Sequence, residues 1–121
     1  MGEKRLFALR GAVQCINTVE DIQKQVVKMY DELLFKNNLC EEDIVSAFFS
    51  ITGDLNAINP ATVLRNCGKA LKIALFTSQE ANFQGALERV VRILIHCYLE
   101  SGSPVHVYRN GAEVLRPDRQ G

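Results

Sequence analysis

The sequence predicts an α+β fold (mixed α/β) in which a mixed β-sheet carries helices on one face. Segments with apolar residues at every second position alternate with segments of helical periodicity, in the order βαβαβ followed by further strands. Capping signals mark the start of two of the helical segments. No linker or low-complexity tract interrupts this order, so residues 1–121 are expected to form a single domain.

The chain begins with a predicted strand over residues 5–13, and a helix follows it. Thr18 and Asp21 resemble a capping box, in which each side chain accepts a backbone N–H at the helix start. The apolar residues after this box recur on one helical face: Ile22, Val26, Met29 and Leu33. Asn37 and Asn38 end the helix.

The middle of the chain predicts a strand, a short helix and another strand. Residues 44–51 form a short apolar run rich in aromatic and β-branched residues, which favours a buried strand. Asn59 and Pro60 indicate the start of a short helix that stops at Gly68, because Asn caps well and Pro fits the first helical position. The next strand is predicted over residues 71–76.

The last third predicts a long strand and a hairpin. One set of alternate positions within residues 88–99 is wholly apolar, which favours a strand, and a short helix over 83–88 leads into it. Asn110-Gly111 lies between residues 106–109 and 112–115 and is a strong hairpin signal. Because helices cover only one face of such a sheet, we expect the other face to be covered by self-association into a closed cyclic oligomer.

Composition excludes several classes of function. Fourteen Lys and Arg balance fourteen Asp and Glu, whereas nucleic-acid binders usually carry a basic excess. No apolar run approaches the roughly 20 residues of a membrane span, and the N-terminus lacks the apolar stretch of a signal peptide. The sequence therefore predicts a cytoplasmic protein with neither a nucleic-acid nor a membrane partner.

The cysteines indicate neither a disulfide framework nor a metal site. Cys15, Cys40, Cys67 and Cys97 are widely spaced, with no C-x-x-C pair and no histidine at ligand spacing. We expect reduced thiols that pack as small hydrophobic side chains.

Arginines occupy unusual positions, and they are the strongest chemical signal in the chain. Four of them interrupt or adjoin apolar segments: Arg10, Arg65, Arg92 and Arg116. Since arginine keeps its charge, a half-buried one needs an anion nearby. For Arg92 that anion is either a carboxylate of the chain, Glu80 or Glu88, or a substrate with more than one carboxylate or phosphate.

Several segments resemble, in order and spacing, the AroH-class chorismate mutases, and the resemblance covers essentially the whole chain. These segments are Leu9-Arg10-Gly11-Ala12, Asp54-Leu55-Asn56-Ala57 ahead of Asn59-Pro60-Ala61, Gln79-Glu80 with Arg92, His106-Val107-Tyr108, and Val114-Leu115-Arg116-Pro117-Asp118. The resemblance implies a pseudo-α/β-barrel homotrimer with active sites between neighbouring subunits. It also implies the [3,3] rearrangement of chorismate to prephenate in aromatic amino-acid biosynthesis, which requires no cofactor and no metal.

The resemblance further implies roles for individual residues at the reacting centre. Arg92 is expected to donate to the ether oxygen and a carboxylate of the substrate. Glu80 is expected to bind the ring hydroxyl and to face the positive charge that develops on the allyl fragment. Arg10 and Tyr108 are expected to hold a substrate carboxylate.

Other residues are expected at the periphery of the site. Arg65 corresponds to a second cation at the cleft mouth, Leu115 lines the pocket, and Arg116 lies in a C-terminal segment that closes over it. Thr77 takes the place of a frequent cysteine and keeps a hydroxyl for the substrate hydroxyl. Asn59 replaces a common aromatic residue and Thr62 a frequent lysine, and both changes put substrate affinity in doubt more than chemistry.

Simpler structural roles compete with these assignments. Glu80 is then a helix-start carboxylate, Tyr108 a packed hairpin residue, and Arg116 a solvated charge near the chain end. We expect His96 and His106 to be structural, because the chemistry needs no base. At the level of function, the alternatives are a reactive-intermediate imine deaminase of the YjgF type and a non-catalytic trimer that binds an aromatic-pathway carboxylate.

Overall fold

A computed structural model describes residues 3–100 and 102–115, where the strands form one five-stranded mixed sheet. The strands are β1 (Arg5–Gln14), β2 (Ile44–Ile51), β3 (Ala74–Gln79), β4 (Val90–Leu99) and β5 (Val107–Arg109). Across the sheet they follow the order β3-β2-β4-β1-β5. The central β4 is antiparallel to β1 and β2, while β3 and β5 run parallel to their neighbours, so the predicted mixed sheet is confirmed.

Two helices, α1 (Val19–Lys36) and α2 (Pro60–Asn66), pack on one face of this sheet. Thr18 Oγ1 accepts from the Asp21 backbone N–H at 3.1 Å, as predicted for the start of α1. The Asp21 carboxylate accepts from the N–H of Ile16, whereas a capping box would use the N–H of the N-cap residue Thr18. Asn59 Oδ1 accepts from the Ala61 N–H at 2.9 Å and caps α2 as predicted.

The core lies between α1, α2 and the face of the sheet that they cover, which we call the helix face. Its strand residues are at alternate positions and include Leu9, Val13, Ala47, Phe49, Val91, Ile93, Ile95 and Cys97. Helix and sheet lie close together at Gly11, where an added Cβ would lie 3.0 Å from both Ile93 Cγ2 and Leu33 Cδ1. Glycine at this position therefore lets α1 sit directly on β1 and β4.

Two predicted elements differ from the structure: the strand predicted over residues 71–76 is shifted, and the helix predicted over residues 83–88 is wrong. The third strand begins at Ala74 instead of Leu71, because a turn closed by the Ile73 N–H and the Ala70 carbonyl occupies the first residues of the predicted range. No helix forms over residues 83–88. The Ala86 N–H donates to the Phe83 carbonyl in a tight turn, and Gly85 at φ +79° leaves the helical region.

The predicted C-terminal hairpin is also wrong. Asn110 and Gly111 do adopt the positive φ values of a tight turn, 56° and 99°. The chain then continues as a 3₁₀ helix (Ala112–Leu115) instead of a returning strand, because Ala112 is fully buried against Ala12 and Val90. Consequently β5 pairs with β1 in parallel rather than with a strand of its own hairpin.

The cysteines match the prediction in part. Cys15 and Cys97 are buried, and burial raises the pKa of their thiols to about 12 and about 11. Cys40 is exposed and Cys67 half-buried, so the expectation of a packed side chain is wrong for Cys40. Within the described ranges, neither helix is long and apolar enough to cross a membrane.

Candidate active site

The face opposite the helices, which we call the open face, carries a row of side chains in register across all five strands. Arg92 on β4 lies opposite Ser50 on β2 and Ala12 on β1. Ala12 in turn lies opposite Tyr108 on β5, and Ser50 opposite Ser78 on β3. Ala12, between Arg92 and Tyr108, is small and buried in a cluster with Val90 and Ala112.

A cavity of about 300 Å³ occupies this part of the open face. Arg10, Arg92 and Tyr108 all line it, together with Ser50. Three of the residues expected to bind a substrate are therefore brought together within one chain. The neighbouring row supplies an apolar wall, because Phe48 and Leu94 lie opposite each other and also line the cavity.

Arg92 lines the cavity and forms an ion pair with Glu80, which lies just beyond the end of β3 and outside the cavity lining. Its Nε lies 2.8 Å from Glu80 Oε1, but the buried N–H makes no hydrogen bond, since it is not aimed at that oxygen. Of the two carboxylates named as partners, Glu80 takes this position. No helix follows Glu80 in residues 81–89, so its interpretation as a helix-start carboxylate is wrong.

Glu80 is held by β2 through its backbone and its side chain. Its N–H donates to the Ile51 carbonyl at 2.8 Å, which extends the β2–β3 pairing one residue beyond the end of β3. Ser50 Oγ donates to Glu80 Oε1 at 3.0 Å. The same carboxylate oxygen therefore receives a hydroxyl hydrogen bond and faces the guanidinium.

Tyr108 approaches the cavity from the other end of the row, and Arg10 approaches it from the neighbouring row, where it lies opposite Leu94. The Arg10 backbone N–H donates to His106 Nδ1 at 3.0 Å, which ties β1 to the segment before β5. His106 is buried, as expected for a structural histidine. Tyr108 is half-buried against the cluster of Ala12 and Ala112, and it belongs to a parallel strand instead of the expected hairpin.

Helix α1 anchors the short strand that carries Tyr108. Asn37 exchanges two hydrogen bonds with the Val105 backbone, at 2.8 and 2.9 Å. Arg109 forms an ion pair with Glu32 on α1. The Lys36 ammonium lies 2.9 Å from the other oxygen of Glu32. Tyr108 is therefore fixed from both sides of its strand.

Of the predicted site residues that the structure describes, Glu80, Arg65, Thr77 and Leu115 do not line this cavity. Thr77 lies opposite Phe49, whose side chain is on the helix face, and Thr77 Oγ1 donates to Asn59 Oδ1 at 2.9 Å. Arg65 is exposed on α2. Leu115 packs beside Tyr108 on the cluster beneath it, and Arg116 lies outside the described residues.

The Asp54–Ala57 segment, part of the resemblance found in the sequence, has a structural role near the start of β4. Both carboxylate oxygens of Asp54 accept from the Arg89 N–H at 3.1 Å, just before β4 begins. Asn17 Oδ1 accepts from the N–H groups of Asn56 and Ala57, each at 3.0 Å. These bonds set where β4, and with it Arg92, enters the sheet.

Sequence reasoning missed Ser50 as a neighbour of the charged pair. Alternation along β2 places Ser46, Phe48 and Ser50 on one face, and this much is readable from the sequence. The register that sets Ser50 opposite Arg92 is a long-range property and has no local signal.

Comparison with known proteins identifies the family. A family model described as chorismate mutase type I matches residues 6–119. Chorismate mutase AroH of Bacillus subtilis (strain 168) is 27% identical over 104 residues, which are 84% of this chain and 82% of that protein. A solved structure of a chorismate mutase from Clostridium thermocellum superposes with a TM-score of 0.84 at 37% identity, covering 89% of this chain and 98% of that chain. Because the family model spans nearly the whole sequence and the structural match covers 89% of it, this chain belongs to the type I chorismate mutases.

Proposed function

We propose that this chain converts chorismate to prephenate in aromatic amino-acid biosynthesis, and that the cavity between Arg10, Arg92 and Tyr108 binds the substrate. Family membership supports the reaction, and the observation that carries the site is the shared cavity. In the rearrangement an ether C–O bond breaks and a C–C bond forms within one molecule, so nothing is gained or lost. The tasks of the protein are to hold a flexible dicarboxylate in a compact pose and to stabilise charge on the ether oxygen.

The cations of the cavity suit a doubly charged substrate. Arg10 and Tyr108 enter from β1 and β5 and are assigned to one carboxylate. Arg92 is assigned to the ether oxygen and the second carboxylate, since its Nε faces Glu80 and no described side chain accepts from its terminal nitrogens. A planar guanidinium can then donate to two oxygens at once.

The Arg92–Glu80 pair also suits the charge separation of the transition state. As the ether bond breaks, negative charge gathers on the oxygen and positive charge on the ring fragment. A guanidinium and a carboxylate already held 2.8 Å apart offer opposite charges to the two fragments without reorganisation. This assignment makes Arg92 and Glu80 the groups that favour the transition state over the bound substrate.

Arg65 and Thr77 fit this function only if a second copy of the chain supplies them. Arg92 is on the open face, whereas Thr77 and the helix that carries Arg65 are on the helix face. One substrate cannot contact both faces of one sheet. A homotrimer with sites between subunits resolves this, and its contacts would also cover Phe48 and Phe76, which are 46% and 59% exposed on the open face. The cytoplasmic location expected from the sequence belongs to the same proposal.

The test is turnover of chorismate by the purified full chain. We expect loss of chorismate absorbance with formation of an equal amount of prephenate, which acid converts to phenylpyruvate. Arg92→Ala should lose this activity. Arg5→Ala is the matched control, because the Arg5 guanidinium lies 5.4 Å from the centre of the Phe7 ring and outside the cavity.

Three results would overturn the proposal. Chorismate binding without turnover by folded protein would favour the non-catalytic binder. Ammonia release from small imines, with no effect on chorismate, would favour the deaminase, which the relatives above do not favour. Full activity of Arg92→Ala would show that this cavity is not the active site.

A further inference from the structure

Ser50 is the polar residue that touches the charged pair from within the sheet. Its Oγ donates to Glu80 Oε1 at 3.0 Å, the same oxygen that lies 2.8 Å from Arg92 Nε. Ser50 is half-buried, lines the cavity, and lies directly opposite Arg92 in the β2–β4 pairing. The Ser50 hydroxyl thus links Glu80, the residue after β3, to β2.

The hydrogen bond restrains two side chains that otherwise have freedom to move. Glu80 lies just beyond the end of β3, and its carboxylate has two polar contacts, with Ser50 Oγ and with Arg92 Nε. The Arg92–Glu80 contact lacks a hydrogen bond of its own, so it fixes distance but not orientation. The orientation of the carboxylate is therefore set by Ser50.

From this geometry we infer that Ser50 is a positioning residue for the rearrangement. It holds Glu80 Oε1 against Arg92 Nε, so that the guanidinium presents its terminal nitrogens to the cavity. The inference rests on the proposed function of the cavity. Ser50 acts through Glu80 and needs no contact with the substrate.

Loss of the hydroxyl should affect the chemical step more than binding. A small misalignment of groups that stabilise the transition state lowers kcat, while contacts made equally by bound substrate and transition state are retained. For Ser50→Ala we expect kcat to fall by about tenfold, with KM within about twofold of wild type. Ser50→Thr keeps the hydroxyl and should keep kcat within about threefold.

A matched control lies on the same strand and the same face. Ser46 Oγ is 3.4 Å from His96 Nδ1, and Ser46 does not line the cavity. Ser46→Ala removes the same atom from β2 and should leave both kinetic constants within about twofold of wild type. Melting temperatures of all variants show whether each is folded.

A double-mutant cycle separates positioning through Glu80 from a direct role of Ser50. In a Glu80→Ala background the hydroxyl has no carboxylate to hold, so adding Ser50→Ala should change kcat by less than about twofold. An equal tenfold loss in both backgrounds would overturn the inference, because Ser50 would then act independently of Glu80. A wild-type kcat for Ser50→Ala would overturn it as well.

The outcomes also separate this inference from the proposed function. If the wild-type protein does not turn over chorismate, both fail together. If the wild type is active and Ser50→Ala has the same kinetic constants as Ser46→Ala, the proposed function stands and the role of Ser50 is rejected.

Discussion

Two inactive variants should restore activity when they are mixed, if each site is built from two copies of the chain. The first variant, Arg92→Ala, damages the open face. The second, Arg65→Ala combined with Thr77→Ala, damages the helix face. Since these faces lie on opposite sides of one sheet, a substrate that contacts both sets of residues must sit between two chains.

The size of the recovery follows from this geometry. A site works when its open face comes from a chain with intact Arg92 and its helix face from a chain with intact Arg65 and Thr77. In a cyclic trimer that carries both variants, one of the three sites meets both conditions, so about one third of the sites are intact. These mixed trimers should therefore show about one third of the wild-type kcat per chain, with a wild-type KM.

The assay is chorismate turnover by mixed oligomers. The two variants are co-expressed with different affinity tags, and particles carrying both tags are isolated and sized by light scattering. The same variants purified separately and combined without subunit exchange serve as the control. Activity no greater than the mean of the separate variants would refute the shared site, and so would a monomer that turns over chorismate at the wild-type rate.

Three further predictions concern the cavity, the core and the buried thiols. Arg92→Lys keeps the charge but loses the planar set of donors, so kcat should fall by about 100-fold or more while Arg5→Lys stays at wild type, as measured in the chorismate assay. Gly11→Ala places a methyl group 3.0 Å from Ile93 and should lower the free energy of unfolding by about 1–3 kcal/mol in urea titrations; an unchanged midpoint would contradict the close approach of α1. Burial raises the pKa of the Cys97 thiol to about 11 from an ordinary 9.0, so the unfolded chain loses this proton first. The free energy of unfolding should therefore fall as pH rises from 9 towards 11, and the fall should be smaller in Cys97→Ala.

Much of the fold is readable from local sequence because each signal is physically local. The cap residues Thr18 and Asn59 define helix starts through their own hydrogen bonds with the next turn. The apolar alternation of β4 is buried as predicted, because a strand buried against helices needs one continuous apolar face. The Asn110-Gly111 turn shows the limit of such signals. The backbone conformation of this turn is local and is predicted correctly. The path after it depends on Ala112 packing against Ala12, a residue far away in the sequence.

For the candidate site, the sequence predicts which residues take part but not how they are arranged in space. Charge in apolar surroundings identifies Arg10 and Arg92 without any structure, because arginine cannot neutralise itself by releasing a proton. That they share a cavity with Tyr108 depends on strand order and register, which place β4, β1 and β5 side by side. The choice of Glu80 over Glu88 as the partner of Arg92 depends equally on the β2–β3 pairing that carries Glu80 to the end of the row.

The position of each group in the sheet matches what the reaction asks of it. Arg92 belongs to β4, whose backbone at this position is paired with β1 on one side and β2 on the other. Arg10 is paired with β4, and its N–H donates to His106 Nδ1 on the other side. Tyr108 is on a three-residue strand at the edge of the sheet and is held by side-chain bonds to α1 instead. Stabilising a charge that exists only in the transition state requires donors fixed in advance, whereas holding a carboxylate tolerates some adjustment. The central β4 therefore carries Arg92, which is assigned to the chemical step, and the edge strand β5 carries Tyr108, which is assigned to binding. Glu80, also assigned to the chemical step, lies beyond the edge strand β3 and is fixed by its hydrogen bonds to Ile51 and Ser50 of β2.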